Sequence, residues 1–276
     1  MNLEDVDYEV LNPGGNETAL VMGLEYSDEE RKIINNKILK QNDDVEQVGF
    51  MDIKKRRLEM AGGEFCLNAT RCAIWKILNG KVGSVDLTVS GNNNVLTGQI
   101  LENKDVYVKL PVNKNISEIV TDNILFQIIK IDGILLAVFS EELSKNYIKK
   151  LKQNEEDTKK ELKKLMSKFK TKENAVGIIL LEQAEEQIKI NPIIWVKTID
   201  TVFYETACGS GSLAAAYAKY VQDKEQCFKI LQPSGYSISV SIDMDKEYVK
   251  DVRLSGCIVE RKINNGGKKY EWYKWI

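Results

Sequence analysis

The sequence predicts an α+β protein built from two copies of one unit, each a sheet wrapped around a central helix. Two observations carry this. The stretches "AGGEFCLNATRCAIW" (61–75) and "YETACGSGSLAAAYA" (204–218) each set a cysteine directly before a helix that is apolar on most sides, which marks a buried helix. Short β-patterned segments then follow at matched spacing. Gly91 stands 25 residues after Cys66 and Gly235 stands 27 after Cys208, while Leu110 and Leu254 each lie 19 residues beyond those glycines.

Along the first copy, "YEVL" and "TALVMGL" read as strands joined by the turn "NPGGN". Ser27 and Glu30 form a capping-box pattern opening a helix with Ile33, Ile34 and Ile38 on one face. "EQVGFMDI" and "RRLEMA" are strands leading to Cys66, and the helix beyond it stops at Asn79–Gly80. Strands "SVDLTVSG", "VLTGQIL" and "VYVKLP" complete the copy. The second copy runs through strands "NAVGIILLE" and "PIIWVKTI", the helix after Cys208 to Gln222, and strands "FKILQPSG", "YSISVSID" and "VKDVRLSG". Between the copies, 141–174 reads as a charged helical stretch with Leu151, Leu162, Leu165 and Phe169 as its apolar stripe. The aromatic tail "YEWYKWI" reads as a final strand.

With 39 basic and 41 acidic residues, the net charge of −2 gives no case for nucleic acid or an anionic membrane. No apolar run approaches the roughly 18 residues a membrane span needs. The acidic N-terminus lacks a signal-peptide core, and five widely spaced cysteines without a CxxC pair suit a reducing cytoplasm. The chain has no histidine, which removes Ser-His-Asp and Cys-His catalysis and histidine metal sites. Proton transfer is left to Cys, Asp, Glu, Lys or Tyr, and neither a metal nor an organic cofactor is expected.

A helix mouth presents unpaired N–H groups and the positive end of the helix dipole. Those groups can lower a thiol pKa or hold a substrate carboxylate. Two units related by approximate twofold symmetry would aim Cys66 and Cys208 at one point from opposite sides. That geometry suits inversion of a carbon bearing hydrogen: a thiolate removes the proton on one face while a thiol delivers another on the opposite face. Gly209, Ser210 and Gly211 would let a ligand approach the backbone closely. Cys72, Cys227 and Cys257 are expected to be small apolar fillers.

At these residues the chain resembles the diaminopimelate epimerase superfamily of PLP-independent, two-cysteine amino-acid racemases and epimerases. Cys66-x-Asn68-x-x-Arg71-Cys72 matches the first cysteine signature in spacing, and "ACGSG" (207–211) matches the second. "GGN" ending at Asn16 resembles the substrate-contacting turn, and Glu46 and Gln47 lie in the place of another contact strand. The resemblance implies two β-barrel domains, each around a helix: 1–115 with Cys66, joined by a tail at about 262–276, and 116–261 with Cys208. The active site would lie in the cleft between them, and the assembly would be a homodimer. Leu67 departs from the glycine usual after the first cysteine. The Glu-Arg pair with which diaminopimelate epimerases bind the distal end of their substrate is replaced by Ile199 and Asp200. "NPGGNETALV", "EQVGF", "GGEFCLNAT", "YETACGSGS" and "LQPSG" resemble the histidine racemases of this superfamily, which also lack that pair. The implied activity is cofactor-independent conversion of L-histidine to D-histidine. Catalysis would fall to Cys66 and Cys208, with Asn16, Glu46, Gln47, Leu67, Asn68, Glu205, Gly209 and Ser210 binding substrate. Alternatives are a diaminopimelate epimerase, a racemase of another amino acid, and an amino-acid-binding protein without chemistry.

Overall fold

A computed structural model describes residues 6–111, 117–119, 126–131, 133–184, 187–245, 248–263 and 270–273. The chain opens with a hairpin, β1 (Tyr8–Asn12) and β2 (Glu17–Met22), followed by α1 (Asp28–Gln41). The capping box forms: Glu30 N–H donates to Ser27 Oγ at 3.3 Å and Ser27 N–H to Glu30 Oε2 at 2.8 Å. Ile34 and Ile38 are buried under this helix, but Ile33, a third of a turn away, is 52% exposed. Next come β3 (Val45–Asp52), β4 (Arg57–Met60), α2 (Leu67–Leu78), β5 (Gly83–Val89), β6 (Leu96–Ile100) and β7 (Val106–Pro111).

The second half holds β8 (Ser117–Ile119), β9 (Phe126–Ile131), β10 (Ile134–Phe139), α3 (Glu141–Gln153), α4 (Glu155–Met166), β11 (Ala175–Ala184), β12 (Gln187–Val196) and β13 (Thr201–Tyr204). It continues through α5 (Gly209–Asp223), β14 (Cys227–Leu231), β15 (Ser237–Asp245), β16 (Tyr248–Gly256), β17 (Val259–Ile263) and β18 (Tyr270–Tyr273). Strand pairing in the first half runs β1–β2 antiparallel, β2–β3 parallel, β3–β4 antiparallel, β4–β5 parallel, then β5–β6 and β6–β7 antiparallel. In the second half β9–β10, β10–β11, β11–β12, β12–β14, β14–β15 and β15–β16 repeat that order of directions. β7 pairs with β16 and joins the halves, while β17 returns to β1 and carries β18. The expected boundary at 115/116 falls in 112–116, and parts of the tail (264–269, 274–276) also lie outside the described residues.

One apolar core surrounds α2 and α5, with smaller clusters beneath α1 and beneath α3 and α4. On α2, Leu67, Ile74 and Trp75 are all but sealed, each adding roughly 1.5–3 kcal/mol of burial. No described helix is long and apolar enough to cross a membrane.

Three features depart from the sequence reading. The hairpin β9–β10 is an addition; the "DG" that stands between the two strands in the sequence is a hairpin signal. The charged stretch is two helices rather than one, because Asn154 ends α3 and caps α4, its Oδ1 accepting from Asp157 N–H at 3.1 Å. Of the three supposed filler cysteines only Cys72 is buried; Cys227 is exposed and Cys257 partly so, since Cys227 opens β14 and Cys257 lies in the link between β16 and β17 rather than on the central helices.

Candidate active site between two helix mouths

Both central helices begin on a sulfur. Cys66 caps α2 with φ −128° and ψ 113°, and its Sγ accepts from Ala69 N–H at 3.4 Å. Cys208 caps α5 with φ −138° and ψ 110°, its Sγ accepting from Gly211 N–H at 3.2 Å. Four residues on, Thr70 Oγ1 and Ser212 Oγ each donate at 2.7 Å to the cap carbonyl. The two mouths touch. Asn68 Nδ2 donates to Ala207 O at 3.0 Å, and a Cβ on Gly209 would come within 2.8 Å of Leu67 Cβ, so only glycine permits this approach.

The surroundings of the two thiols differ. Cys66 donates to Gln47 Oε1 at 2.9 Å, a neutral acceptor, whereas Cys208 stands beside the Glu205 carboxyl. Cys208 N–H donates to Oε1 of the fully buried Gln232 at 2.9 Å, whose Nε2 donates to Ser212 Oγ at 2.9 Å. That side chain locks the start of α5.

A third wall comes from the turn after β1. Asn12 Oδ1 accepts from Gly14 N–H at 2.8 Å and Gly15 N–H at 2.6 Å, and the turn delivers Asn16 in the left-handed region at φ 55°. Asn16 N–H donates to Thr206 Oγ1 at 2.6 Å. Thr206 in turn donates through its N–H to Glu46 Oε2 at 3.0 Å and through its hydroxyl to Glu46 Oε1. Arg71, fully buried, anchors the turn by donating from Nη2 to Pro13 O, and its Nε and Nη1 find no partner among the described residues. A desolvated charge so poorly matched adds little stability and much positioning. Arg71→Met should therefore change the unfolding free energy by less than about 1 kcal/mol in denaturant titrations, because an apolar chain fills the same space. Substrate KM should rise at least about fivefold as the turn loses its anchor, the low end of what one hydrogen bond contributes.

Electrostatics in the empty cleft run against the simple helix-mouth expectation. Burial pushes the Cys66 thiol well above its ordinary range and the Glu205 charge adds to the rise, against the Ala69 N–H bond. Cys208 is raised by burial, then by the charge and hydrogen bond of Glu205, against Gly211 N–H. A helix mouth supplies about 0.3–1 kcal/mol, up to about 2, whereas full desolvation shifts a group by up to about 3–5 units, so burial wins. Burial also lifts the carboxyls: Glu205 to about 8, Glu64 to about 7, and Glu46 upward against its Thr206 bonds.

Comparison with known proteins identifies the family. Residues 5–270 match the family described as Histidine racemase CntK N-terminal domain. The chain belongs to the histidine racemase family. It is accordingly an amino-acid isomerase. A histidine racemase of Fusobacterium nucleatum subsp. nucleatum is 28% identical over 257 residues, spanning 88% of this chain and 92% of the relative. A histidine racemase of Staphylococcus aureus is 24% identical over 260 residues, spanning 85% and 88%. The fold is shared with solved structures. A phenazine biosynthesis PhzC/PhzF protein from Clostridium difficile superposes with TM-score 0.58 at 15% identity, over 95% of this chain and 98% of that one. A hydroxyproline epimerase from Agrobacterium vitis gives TM-score 0.55 at 10% identity, over 91% and 89%.

In this member of the histidine racemase family the ten residues assigned from sequence to catalysis or substrate binding line one cavity of about 590 Å³, counting its open mouth: Asn16, Glu46, Gln47, Cys66, Leu67, Asn68, Glu205, Cys208, Gly209 and Ser210; Gly211 stands behind them, its N–H on Cys208 Sγ. Ile199 contributes apolar wall to the same cavity, while Asp200 lies outside it, paired with Lys163 at 2.7 Å and Trp195 Nε1 at 3.0 Å. Sequence reasoning missed Glu64, Phe65, Ile194, Val196 and Phe203 on the lining, and Thr206 and Gln232 behind it. For Glu64 a signal was present: an acid two residues before a helix-capping cysteine in an otherwise apolar and glycine-rich run.

Proposed function

We propose that the protein interconverts L- and D-histidine without an organic cofactor, using Cys66 and Cys208 as a thiolate/thiol pair. The observation that carries this is the pair of cysteines capping two abutting helices with the same geometry on one cavity. The substrate carboxylate sits against the first-turn N–H groups of α2 and α5. One thiolate takes the α-proton, so a C–H bond breaks and an S–H bond forms. Negative charge moves from the α-carbon into the carboxylate, where those N–H groups meet it. The opposite thiol then gives its proton to the other face and is left as the thiolate for the reverse turn. The substrate's positive charge offsets the burial that raises both thiols, an opposite charge at about 4–6 Å being worth about 1–3 units.

Histidine as substrate is supported by family membership and by the charge of the cavity. Glu46, Glu64 and Glu205 line it, and no Lys or Arg stands among its described lining. A distal carboxylate such as that of diaminopimelate would meet only carboxylates and apolar wall. The repeated strand order supports two barrel domains related by a pseudo-twofold axis, 1–115 with the tail and 116–261. Five cysteines, none of them in a disulfide among the described residues, suit a reducing cytoplasm, and the superfamily resemblance supports a homodimer.

α-Deuterium exchange in D2O tests the reading on purified, reduced protein without added cofactor. Exchange with inversion on histidine is expected. Exchange on diaminopimelate or another amino acid but not on histidine would refute the substrate, and no exchange on any would refute the chemistry.

A further inference from the structure

The three carboxylates of the cavity are not equally free. Glu46 is committed twice to Thr206. Glu205 lies beside Asn16 and the Cys208 thiol, next to the reacting carbon, although its own Oε2 also finds no partner among the described residues. Glu64 has two backbone N–H groups near it, its own and that of Gly62. Its Oε2 is sealed from bulk water and finds no partner among the described residues. An unpaired buried carboxylate oxygen costs free energy unless a donor arrives.

Its position says which donor. A Cβ on Gly62 would stand 2.6 Å from both Glu64 Oε2 and Val196 Cγ1 and 2.8 Å from Thr198 Oγ1, whose hydroxyl donates to Gly62 O, so the carboxyl lies at the polar end of the wall that Val196 builds. Val196, Ile194, Ile199 and Phe203 make that wall apolar. The backbone that carries this carboxyl is fixed in place. Ser90 Oγ donates to Glu64 O at 2.8 Å, and Gly91 and Gly133 pinch the adjoining Phe65, where a Cβ on Gly133 would stand 2.6 Å from Phe65 Cβ. An apolar wall ending in one unpaired carboxylate oxygen complements a flat ring with apolar faces and a single N–H edge.

We infer that Glu64 is the specificity-determining residue for the substrate side chain, accepting the ring N–H of an imidazole on its free Oε2. This rests on the racemase reading above. The test compares α-deuterium exchange of histidine with that of β-(2-thienyl)alanine, a ring of similar size without an N–H, in the unmodified protein and in Glu64→Gln. The unmodified protein should favour histidine by at least about 30-fold in kcat/KM, as sites built to bond a substrate N–H do. Glu64→Gln should lose about 10–100-fold on histidine, chiefly through KM, since a charged acceptor has been removed. Thienylalanine should lose far less, so the preference collapses. Equal loss on both substrates would show a merely structural role and overturn the inference, as would a preference that survives in Glu64→Gln. If the unmodified protein exchanges thienylalanine and other amino acids but not histidine, the histidine reading itself fails.

Discussion

Cys66→Ala and Cys208→Ala should each lower racemisation at least about 10³-fold in both directions, within the range a positioned acid or base contributes. The double variant should be hardly worse than either single one, because the two thiols act as one unit. Chiral chromatography of histidine incubations measures the loss. Isotope exchange adds a sharper signature. With one thiol left, any slow exchange in D2O should be confined to one enantiomer, proceed without inversion, and switch enantiomer between the two variants. Full inversion by either variant would remove that cysteine from the mechanism. The fold should survive both changes: each sulfur's cap bond is long, 3.4 and 3.2 Å, and Thr70 and Ser212 still hold the cap carbonyls.

Stability should fall as pH rises through the neutral range, by about 1.4 kcal/mol per pH unit for each titrating carboxyl. The groups are Glu64, raised by burial to about 7, and Glu205, raised by burial to about 8. Unfolded, both would titrate near the ordinary glutamate value of about 4.3. Between those limits the folded protein binds protons that the unfolded chain has released. The stabilising contribution is therefore complete at acid pH and is lost as pH climbs through 7 and 8. Melting temperatures of the empty enzyme taken from pH 5 to 9 should show this decline, and Glu64→Gln should flatten it. A melting temperature that rises steadily to pH 8 in the unmodified protein would contradict the burial assigned to these carboxyls. Saturating histidine should protect most above neutrality, where ionised carboxylates gain a cationic partner.

The two cysteines were legible because a helix start is a local event, and the matched runs around Cys66 and Cys208 announce it twice. Asn16 and Gln47 followed from resemblance at equivalent places. Glu64 did not: its significance lies in an oxygen left without a donor once Val196 and Gly62 have closed around it, and no local pattern encodes that. Gln232 is similar. Nothing in "LQPSG" tells that its amide will span 24 residues to meet the Cys208 N–H. The hairpin β9–β10 escaped because β10 is a continuous apolar run without alternation, buried on both faces between the central helix and α3, while Gln127 and Lys130 interrupt the apolar pattern of β9. Thiol acidity was misjudged for a related reason: the helix dipole is visible in sequence, but the depth of burial that overrides it is not.

Cys66 faces a neutral amide at Gln47 and Cys208 a carboxyl at Glu205, so the two faces of the site are chemically unlike. Mirror-image amino acids have equal free energy in water, so the equilibrium constant for their interconversion is one. The Haldane relation then forces kcat/KM to be the same for both enantiomers, however lopsided the protein. The inequality between Gln47 and Glu205 can surface only as matched differences, one enantiomer binding more tightly and turning over more slowly by the same factor. Such an enzyme cannot set the direction of flux. Whatever process consumes one enantiomer does that, and the asymmetry decides only which form occupies the site when both are abundant.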